Sequence, residues 1–225
     1  MERELKAIAE SRSPSIGIPD YAGAAEGTAM KKGRKIIVYI ATSADGYIAR
    51  LDGDVAWLNR PRPAGNYGMD SFFRSIDTIL WGRKTYDFAL AMGGIAIYGP
   101  KVKHYVFSHH PPTTRPEGVE FCGEHMATFV PRLRALAGKD VWVMGGSGLI
   151  ASLLDEGEID EFMIHVIPTF IGEGIPLIQP RRRLVQLALL SSRRFGDGVV
   201  RLHYRVMLPP PAIEKARSAN RRKRH

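Results

Sequence analysis

Short apolar runs recur along the chain and predict a series of buried strands. Continuous apolar runs of four to eight residues are typical of strands in a sheet that is covered on both faces. These runs occupy residues 36–41, 78–81, 104–107, 141–144 and 161–167, with a shorter one at 119–121. Segments with helical spacing lie between them, at residues 72–76, 83–90, 128–136 and 149–154. The alternation predicts an α/β fold with a mainly parallel central sheet.

The last third of the sequence has a different pattern. Apolar and polar residues alternate over 199–206, and this run faces 184–190 across Gly196, Asp197 and Gly198. Period-two alternation with a glycine turn predicts an antiparallel hairpin added to the parallel sheet. We expect the strand 199–206 to form an exposed edge that could pair with a second copy of the chain.

A glycine-rich corner follows the strand at 141–144. Gly145, Gly146 and Gly148 surround Ser147, and Leu149 opens the helical pattern that follows. Glycines allow close approach of the backbone to a ligand, and a helix N-terminus offers unpaired N–H donors and a positive dipole end. We interpret the corner as a phosphate or dinucleotide site. A plain turn between a strand and a helix is the alternative, although one glycine would serve it.

A second corner of the same kind begins at Gly82, between a predicted strand and helix. Arg83, Lys84 and Thr85 follow it, and cations at a helix start oppose the helix dipole unless they serve another purpose. Binding a phosphate would explain the two cations. The alternative is that Arg83 and Lys84 are simply solvated. We expect both corners to lie at the same rim of the sheet, where they would bind one doubly anionic cofactor.

Composition and charge narrow the possible classes of protein. The chain of 225 residues has a net charge of +9, of which residues 209–225 supply five and residues 1–35 two. The remainder is close to neutral, so the charge describes the ends of the chain. No membrane-length apolar run, signal peptide or metal-ligand spacing is present, and one cysteine excludes an internal disulfide. We expect a cytoplasmic protein with a flexible extension (1–33), one domain (34–208) and a disordered basic tail (209–225).

Three motifs in order carry a family resemblance. They are Asp45–Gly46–Tyr47–Ile48, then Trp81–Gly82–Arg83–Lys84–Thr85, then Met144–Gly145–Gly146–Ser147–Gly148. Together they resemble the dihydrofolate reductase superfamily, whose fold has three layers. The segments 167–177 and 194–200 are similar to the branch that includes the reductase domain of the bifunctional riboflavin-biosynthesis deaminase–reductase. The resemblance covers roughly residues 35–207.

The resemblance implies an NADPH-dependent reductase that acts on a small molecule and forms a homodimer. It places the cofactor across the carboxyl ends of the strands, with the nicotinamide next to Ala41 and Ile48 and the 2′-phosphate near Ser108 and His109. It assigns the remaining phosphate contacts to Gly82, Arg83, Lys84, Thr85, Gly145, Gly146, Ser147, Gly148 and Leu149. Relatives often carry Arg or Thr after the serine at 108, so His109 leaves the preference for NADP over NAD open.

Two residues are candidates for the substrate side. Asp70 would stand at the start of a helix lining the cleft, where a carboxylate can bind an amino-pyrimidine or pterin edge or relay a proton. Its alternative role is to cap that helix. Trp57 could close over the substrate, or simply pack in the core. The family suggests a ribosylamino-pyrimidine substrate. Because the sequence has no zinc-ligand spacing, we expect the reductase step without the deaminase step. Between Trp57 and Asp70, only Arg60 and Arg62 could contact the phosphate of such a substrate.

Other classes of protein stay open. Residues 146–151 fit the G-x-G-x-x-A fingerprint of a Rossmann dehydrogenase, but that fingerprint normally follows the first strand. The basic run 221–224 could bind nucleic acid, although the absence of interleaved aromatic residues argues against single-strand binding. A protein with the reductase fold and no turnover is a third alternative.

Overall fold

The computed structural model describes residues 33–112 and 116–207. The predicted extension 1–33, except Gly33, and the predicted tail 209–225 therefore lie outside the described residues. The described residues form ten strands: β1 (Ile36–Ser43), β2 (Tyr47–Ala49), β3 (Ile76–Gly82), β4 (Lys103–Phe107), β5 (Val119–Cys122), β6 (Asp140–Gly145), β7 (Glu161–Ile167), β8 (Ile175–Pro176), β9 (Leu187–Arg194) and β10 (Val200–Val206). Four α-helices connect them: α1 (Met69–Ser75), α2 (Arg83–Ala91), α3 (Met126–Ala135) and α4 (Ser147–Asp155).

Eight strands form one sheet in the order β5-β4-β3-β6-β1-β7-β10-β9. The first six of these are mutually parallel, because each is followed by a connection that returns to the same end of the sheet. β10 runs antiparallel to β7 and to β9. The prediction of a mainly parallel α/β sheet with an antiparallel C-terminal hairpin is confirmed. β1 lies near the centre, next to β6.

Helices cover both faces of the sheet and separate two apolar clusters. On one face, α3 and α4 contribute Phe129, Leu133, Ile150 and Leu153 to a cluster that surrounds Val38. On the other face, α1 and α2 contribute Phe72 and Tyr86, which pack with Tyr39, Trp81 and Trp142. This is why the central runs lack alternation: residues that point to either face of the sheet are buried.

The hairpin differs from its prediction in its bounds and in its edge. β9 spans Leu187–Arg194, so the strand begins later than 184 and extends through the polar residues 191–194. β10 lies between β7 and β9, which makes the prediction of an exposed edge at 199–206 wrong. The edge strand is β9, with Leu187, Leu189 and Leu190 exposed. The turn at Gly196–Gly198 pairs Arg194 with Val200, which places the polar residues in the ladder.

Two other local expectations need correction. The helix expected at 128–136 begins at Met126, because the His125 side chain caps it by accepting from the Ala127 amide at 3.3 Å. Pro131 lies inside α3. The segments after β1 and after β7, for which the apolar pattern predicts no strand, form the small sheet β2–β8. That sheet ties the loop after the central strand to the segment before the hairpin.

Among the helices of residues 33–112 and 116–207, none has both the length and the apolar character to cross a bilayer. The same residues contain no group of three or more His, Cys, Asp or Glu side chains arranged to hold a metal ion.

Candidate cofactor and substrate site

The two glycine corners meet at one rim of the sheet. Gly82 ends β3 and precedes α2, whereas Gly146 follows β6 and precedes α4. A Cβ atom added to Gly82 would lie 3.1 Å from the amide nitrogen of Gly146 and 3.3 Å from the carbonyl oxygen of Gly145. Only glycine allows this approach at Gly82, since the neighbour is backbone that has little freedom to move. The predicted convergence of the corners is confirmed.

Both helices begin without a capping side chain. The N-cap residues of α2 and α4 are Gly82 and Gly146, and neither helix has a side-chain hydrogen bond to its first amides. The first N–H groups of an α-helix have no partner within the helix, and the dipole concentrates positive potential there. Two such ends in contact form a site suited to an anion with two negative groups. The peptide between Gly145 and Gly146 is cis.

Two hydroxyl groups add to the donors at this corner. The Ser147 Oγ is buried and has no hydrogen-bond partner among the described residues. The Thr85 Oγ1 lies 3.0 Å from the position of a Cβ added to Gly146, so it faces the same space. A buried hydroxyl without a partner costs free energy that a ligand acceptor would recover. The donor set of backbone amides and hydroxyls fits a pyrophosphate.

Arg83, the first cation of the second corner, is engaged elsewhere in this structure. The Arg83 Nε donates to Asp87 at 2.8 Å, and its Nη1 donates to the His110 carbonyl at 3.3 Å. Lys84 is exposed. Of the three residues after Gly82, the geometry therefore brings Thr85 alone to the corner. Arg83 lies closer to the loop after β4, which carries Ser108 and His109.

A groove of about 620 Å³ extends from the corner along the carboxyl ends of β4 and β5. Five of the predicted cofactor residues line it: Gly82, Ser108, His109, Gly148 and Leu149. The groove also contains Glu124, Asp155 and Glu156. The groove thus connects the glycine corner with the loop that carries Ser108 and His109.

The acidic residues of this groove have basic partners. Arg181 and Arg183 contact Asp155 at 2.5 Å and 2.8 Å, and hydrogen bonds from Arg183 and then Arg181 lower the pKa of this carboxyl. Glu124 is paired with Arg132, and His125 lies 4.0 Å from Glu156. These pairs reduce the negative potential that the groove would otherwise present to a phosphate.

The predicted nicotinamide wall lies three strands away from β4, at the carboxyl end of β1. Ala41 and Trp57 pack with Tyr67 against a small cluster of Ile167, Phe195 and Val199. The Trp57 Nε1 is buried without a partner among the described residues. Trp57 thus packs next to Ala41, as its alternative role predicted, and its closure over a substrate stays a prediction. Ile48 is half-buried on β2, next to β1.

Three residues lie in one row across the sheet at this level. Ala41 on β1 pairs with His165 on β7, and His165 pairs with Arg201 on β10. The row therefore runs from the nicotinamide wall to His165 and Arg201.

His165 is a buried residue of this row and lies within the apolar run that predicted β7. Its Nε2 lies 3.4 Å from the Tyr39 hydroxyl, and the Tyr67 ring packs against it. Burial, together with the nearby Arg201 charge, lowers the pKa of His165 to about 4. Burial also raises the pKa of Tyr39 to about 12. Both groups are consequently neutral at pH 7.

Asp70 lies in the first turn of α1, where its side chain is exposed. Gly68 is the N-cap of that helix and no side chain caps it, so the alternative role of Asp70 as the N-cap is wrong. An exposed carboxylate on the helix that covers Tyr39 is free to meet a ligand.

The loop before α1 contains residues whose importance the sequence did not indicate. The Tyr67 hydroxyl donates to Asp197 at 2.5 Å, and Arg60 donates to the Asp197 carbonyl at 2.6 Å. Hydrogen bonding from Tyr67 is the main cause of the lowered pKa of Asp197. Asn66 and Tyr67 adopt positive φ angles of 44° and 57°. The Asp-Gly turn after β9 thereby holds the loop against the sheet, a contact that spans 130 residues.

Comparison with known proteins agrees with this architecture. The model of the RibD C-terminal domain matches residues 102–201. The chain is 37% identical to the uncharacterized protein YwjB of Bacillus subtilis over 171 residues, which is 76% of this chain and 97% of YwjB. It is 31% identical to the uncharacterized protein YyaP of the same organism, covering 77% and 95% of the two chains.

Solved structures show the same fold. A protein assigned to riboflavin biosynthesis from Shewanella sp. PV-4 matches with a TM-score of 0.69 and 27% identity, over 77% of this chain and 99% of that one. A dihydrofolate reductase from Enterococcus faecalis, solved with NADP(H), matches with a TM-score of 0.56 and 13% identity over 79% and 99%. The fold is that of the dihydrofolate reductase-like proteins. Within them, this chain belongs to the RibD C-terminal domain family.

Proposed function

We propose that the protein is an NADPH-dependent reductase of a small pyrimidine- or pterin-like molecule. The observation that carries the proposal is the contact between the two uncapped helix N-termini at Gly82 and Gly146. Family membership supports an oxidoreductase, and the Enterococcus faecalis structure with NADP(H) supports the cofactor.

The cofactor would lie along the rim of the sheet. Its pyrophosphate would accept from the amides of residues 146–149 and from the hydroxyls of Thr85 and Ser147. Its adenosine end would occupy the groove that Ser108 and His109 line. Arg83, which donates to the His110 carbonyl in the same loop, and the neighbouring Lys84 would add positive charge there. Ala41 and Ile48 would border the nicotinamide. NADPH, when bound, supplies the hydride.

The remaining work of the site is to position a substrate and to move one proton. Asp70, which is exposed on α1, would bind the amino-pyrimidine or pterin edge or relay the proton. Trp57 and Tyr67 would exclude water from the ring, because both pack against the cluster next to Ala41. Asp70 is thus the proposed catalytic residue.

The substrate class follows from the relatives and not from the geometry. A Thermotoga maritima protein whose name includes 5-amino-6-(5-phosphoribosylamino)uracil reductase has the same fold, with a TM-score of 0.59 and 15% identity, and this chain covers 57% of it. We propose a reaction of that type, in riboflavin biosynthesis. Reduction of another substrate by the same fold is the alternative.

A fluorescence titration tests the proposal. The full-length protein is titrated with NADPH and with NADH, and oxidation is then followed at the nicotinamide absorbance with candidate pyrimidines and pterins. Saturable binding with a preference for NADPH supports the cofactor assignment. Absence of binding to either nucleotide at millimolar concentration would contradict the reductase proposal. Binding of NADPH without turnover of any candidate pyrimidine or pterin would contradict the substrate assignment.

We further propose that the chain forms a homodimer through β9. Leu187, Leu189 and Leu190 are 43%, 57% and 38% exposed on this edge strand. An exposed apolar edge is a template for pairing with a second strand. Light scattering should give twice the chain mass for the native protein and a monomer for Leu189→Lys, whereas Leu136→Lys at the exposed end of α3 serves as the matched control. A monomeric native protein would contradict this proposal.

A further inference from the structure

The loop between β2 and α1, residues 50–68, carries one wall of the proposed site. Its residues Trp57 and Tyr67 pack next to Ala41. Its last residue, Gly68, is the N-cap of α1 and directly precedes the turn that contains Asp70. A movement of this loop would therefore displace both the wall and the proposed catalytic carboxylate.

No backbone–backbone hydrogen bond joins this loop to the sheet among the described residues. Those that it makes lie within the loop itself, such as Leu58 to Val55 at 2.9 Å and Gly68 to Gly65 at 2.8 Å. The four residues 65–68 have positive φ angles of 81°, 44°, 57° and 86°. This region is unfavourable for Asn66 and Tyr67, which carry a Cβ, so the turn persists only where surrounding contacts hold it.

Asp197, in the turn between β9 and β10, supplies those contacts. One of its carboxylate oxygens accepts from the Tyr67 hydroxyl at 2.5 Å and lies 3.4 Å from the Arg60 Nε. Its carbonyl oxygen accepts from the Arg60 Nη2 at 2.6 Å. The other carboxylate oxygen accepts from the Val199 amide at 3.3 Å, which orients the side chain relative to its own turn. Hydrogen bonds to an ionised group are stronger than neutral ones, so Asp197 ties the loop to the hairpin.

The Tyr67 ring extends this contact into the wall. It meets the Phe195 ring edge-on at 5.1 Å and the His165 ring at 5.9 Å, measured between ring centroids. Trp57 packs in the same cluster, which Ile167 completes from β7. When Asp197 holds the hydroxyl, the ring covers the cluster from the side of the loop, and Trp57 keeps its place next to it.

We propose that Asp197 is a positioning residue of the reductase. Through Tyr67 and Arg60 it holds Trp57 at the nicotinamide wall and the N-terminus of α1, with Asp70, at the cleft. The inference rests on the proposed function and adds to it a residue that lies in a turn far along the chain. Asp197 acts through the loop and not on the cofactor.

Acrylamide quenching of tryptophan fluorescence in the full-length protein without nucleotide tests the inference. The chain has three tryptophans, and Trp81 and Trp142 are only 1% and 4% exposed, so a change in quenching reports on Trp57. A second measurement is the emission of bound NADPH, because the reduced nicotinamide emits more strongly where the wall excludes water. Circular dichroism establishes that each variant is folded.

Two variants remove parts of the contact. Tyr67→Phe removes the hydroxyl and keeps the ring, whereas Asp197→Asn removes the charge and keeps a neutral acceptor. Tyr98→Phe is the matched control, since Tyr98 packs in the cluster around Trp81 and its hydroxyl makes no hydrogen bond in the described part of the chain. If Asp197→Asn does not fold, Tyr67→Phe decides alone.

Loss of the hydrogen bond should shift the equilibrium between held and released loop by roughly ten- to a hundredfold. Acrylamide should quench Tyr67→Phe at least about twofold more efficiently than the native protein, with Asp197→Asn between the two. The emission of bound NADPH should fall in the same order. Native quenching in either folded variant would overturn the inference. An equal increase in Tyr98→Phe would show a general loosening and would overturn it as well.

The outcomes also separate this inference from the proposed function. The quenching experiment needs no nucleotide, so it still compares the variants if NADPH does not bind and the reductase proposal fails. If NADPH binds and its emission is the same in all variants, the role of Asp197 fails and the reductase proposal stands.

Discussion

Substituting Gly82 by alanine tests the phosphate corner directly. Gly82 has φ −74° and ψ 144°, a conformation that alanine adopts without strain. The new Cβ would instead meet the amide nitrogen of Gly146 at 3.1 Å and the carbonyl oxygen of Gly145 at 3.3 Å. Because both contacts are backbone, the two helix N-termini must separate by a few tenths of an ångström. The amides that bind the pyrophosphate would then lose their common geometry.

The size of the effect follows from the hydrogen bonds at risk. A hydrogen bond to a charged group contributes about 1.5–3 kcal/mol, so disturbing one phosphate contact should weaken NADPH binding roughly ten- to a hundredfold. The loss of folding stability should be smaller than that of a core substitution, about 1–2 kcal/mol, since the crowding lies at the rim. Fluorescence titration gives the dissociation constant, and urea unfolding gives the stability.

Gly196→Ala is the matched control for this experiment. A Cβ at Gly196 meets no atom within 4 Å, and the residue does not have a positive φ. The control should bind NADPH as the native protein does. A folded Gly82→Ala protein whose affinity for NADPH stays within twofold of the native value would refute the assignment of the corner to the cofactor phosphates.

Three further outcomes are expected. Ser147→Ala should weaken NADPH binding by about tenfold without lowering stability, because the buried hydroxyl has no partner in the free protein; a titration paired with a thermal melt checks both. His165→Asn should make the free energy of unfolding depend less on pH on the acid side of neutrality. The pKa of His165 is about 4 in the folded protein and near 6.5 in the unfolded chain, so the native protein loses stability as the pH falls between these values, by roughly 2–3 kcal/mol at pH 4.5. Urea unfolding of native and variant protein at pH 7 and 4.5 measures this, and identical pH dependence in the two would contradict it. Asp70→Asn should lower turnover at least a hundredfold with NADPH affinity unchanged, as steady-state kinetics and titration would show; unchanged turnover would remove its catalytic role.

The sequence predicted the parallel sheet because its strands are buried on both faces. Their apolar runs need no alternation, and glycine corners mark where two of them end. The bounds of the edge strand β9 were not predicted correctly, because half of this strand is polar and exposed. Ser191, Ser192, Arg193 and Arg194 are exposed, so hydrophobicity carries no signal for their pairing, which the turn at Gly196–Gly198 sets.

The glycine corner of the site could be predicted from the sequence, whereas the long-range contacts around it could not. The corner at Gly82 and Gly146 could be inferred, because strand ends of a parallel sheet share one rim. The contacts of Tyr67 with Asp197, and the row that brings Ala41, His165 and Arg201 together, depend on strand register and on a loop 130 residues away in sequence. Local patterns do not encode such contacts.

A crystal structure of the full-length protein grown with NADPH tests the central claim most directly. The account predicts the pyrophosphate at the junction of α2 and α4, within hydrogen-bond distance of the amides after Gly146 and of the Ser147 hydroxyl, with the nicotinamide next to Ala41. A cofactor bound with its phosphates away from both glycine corners would contradict it.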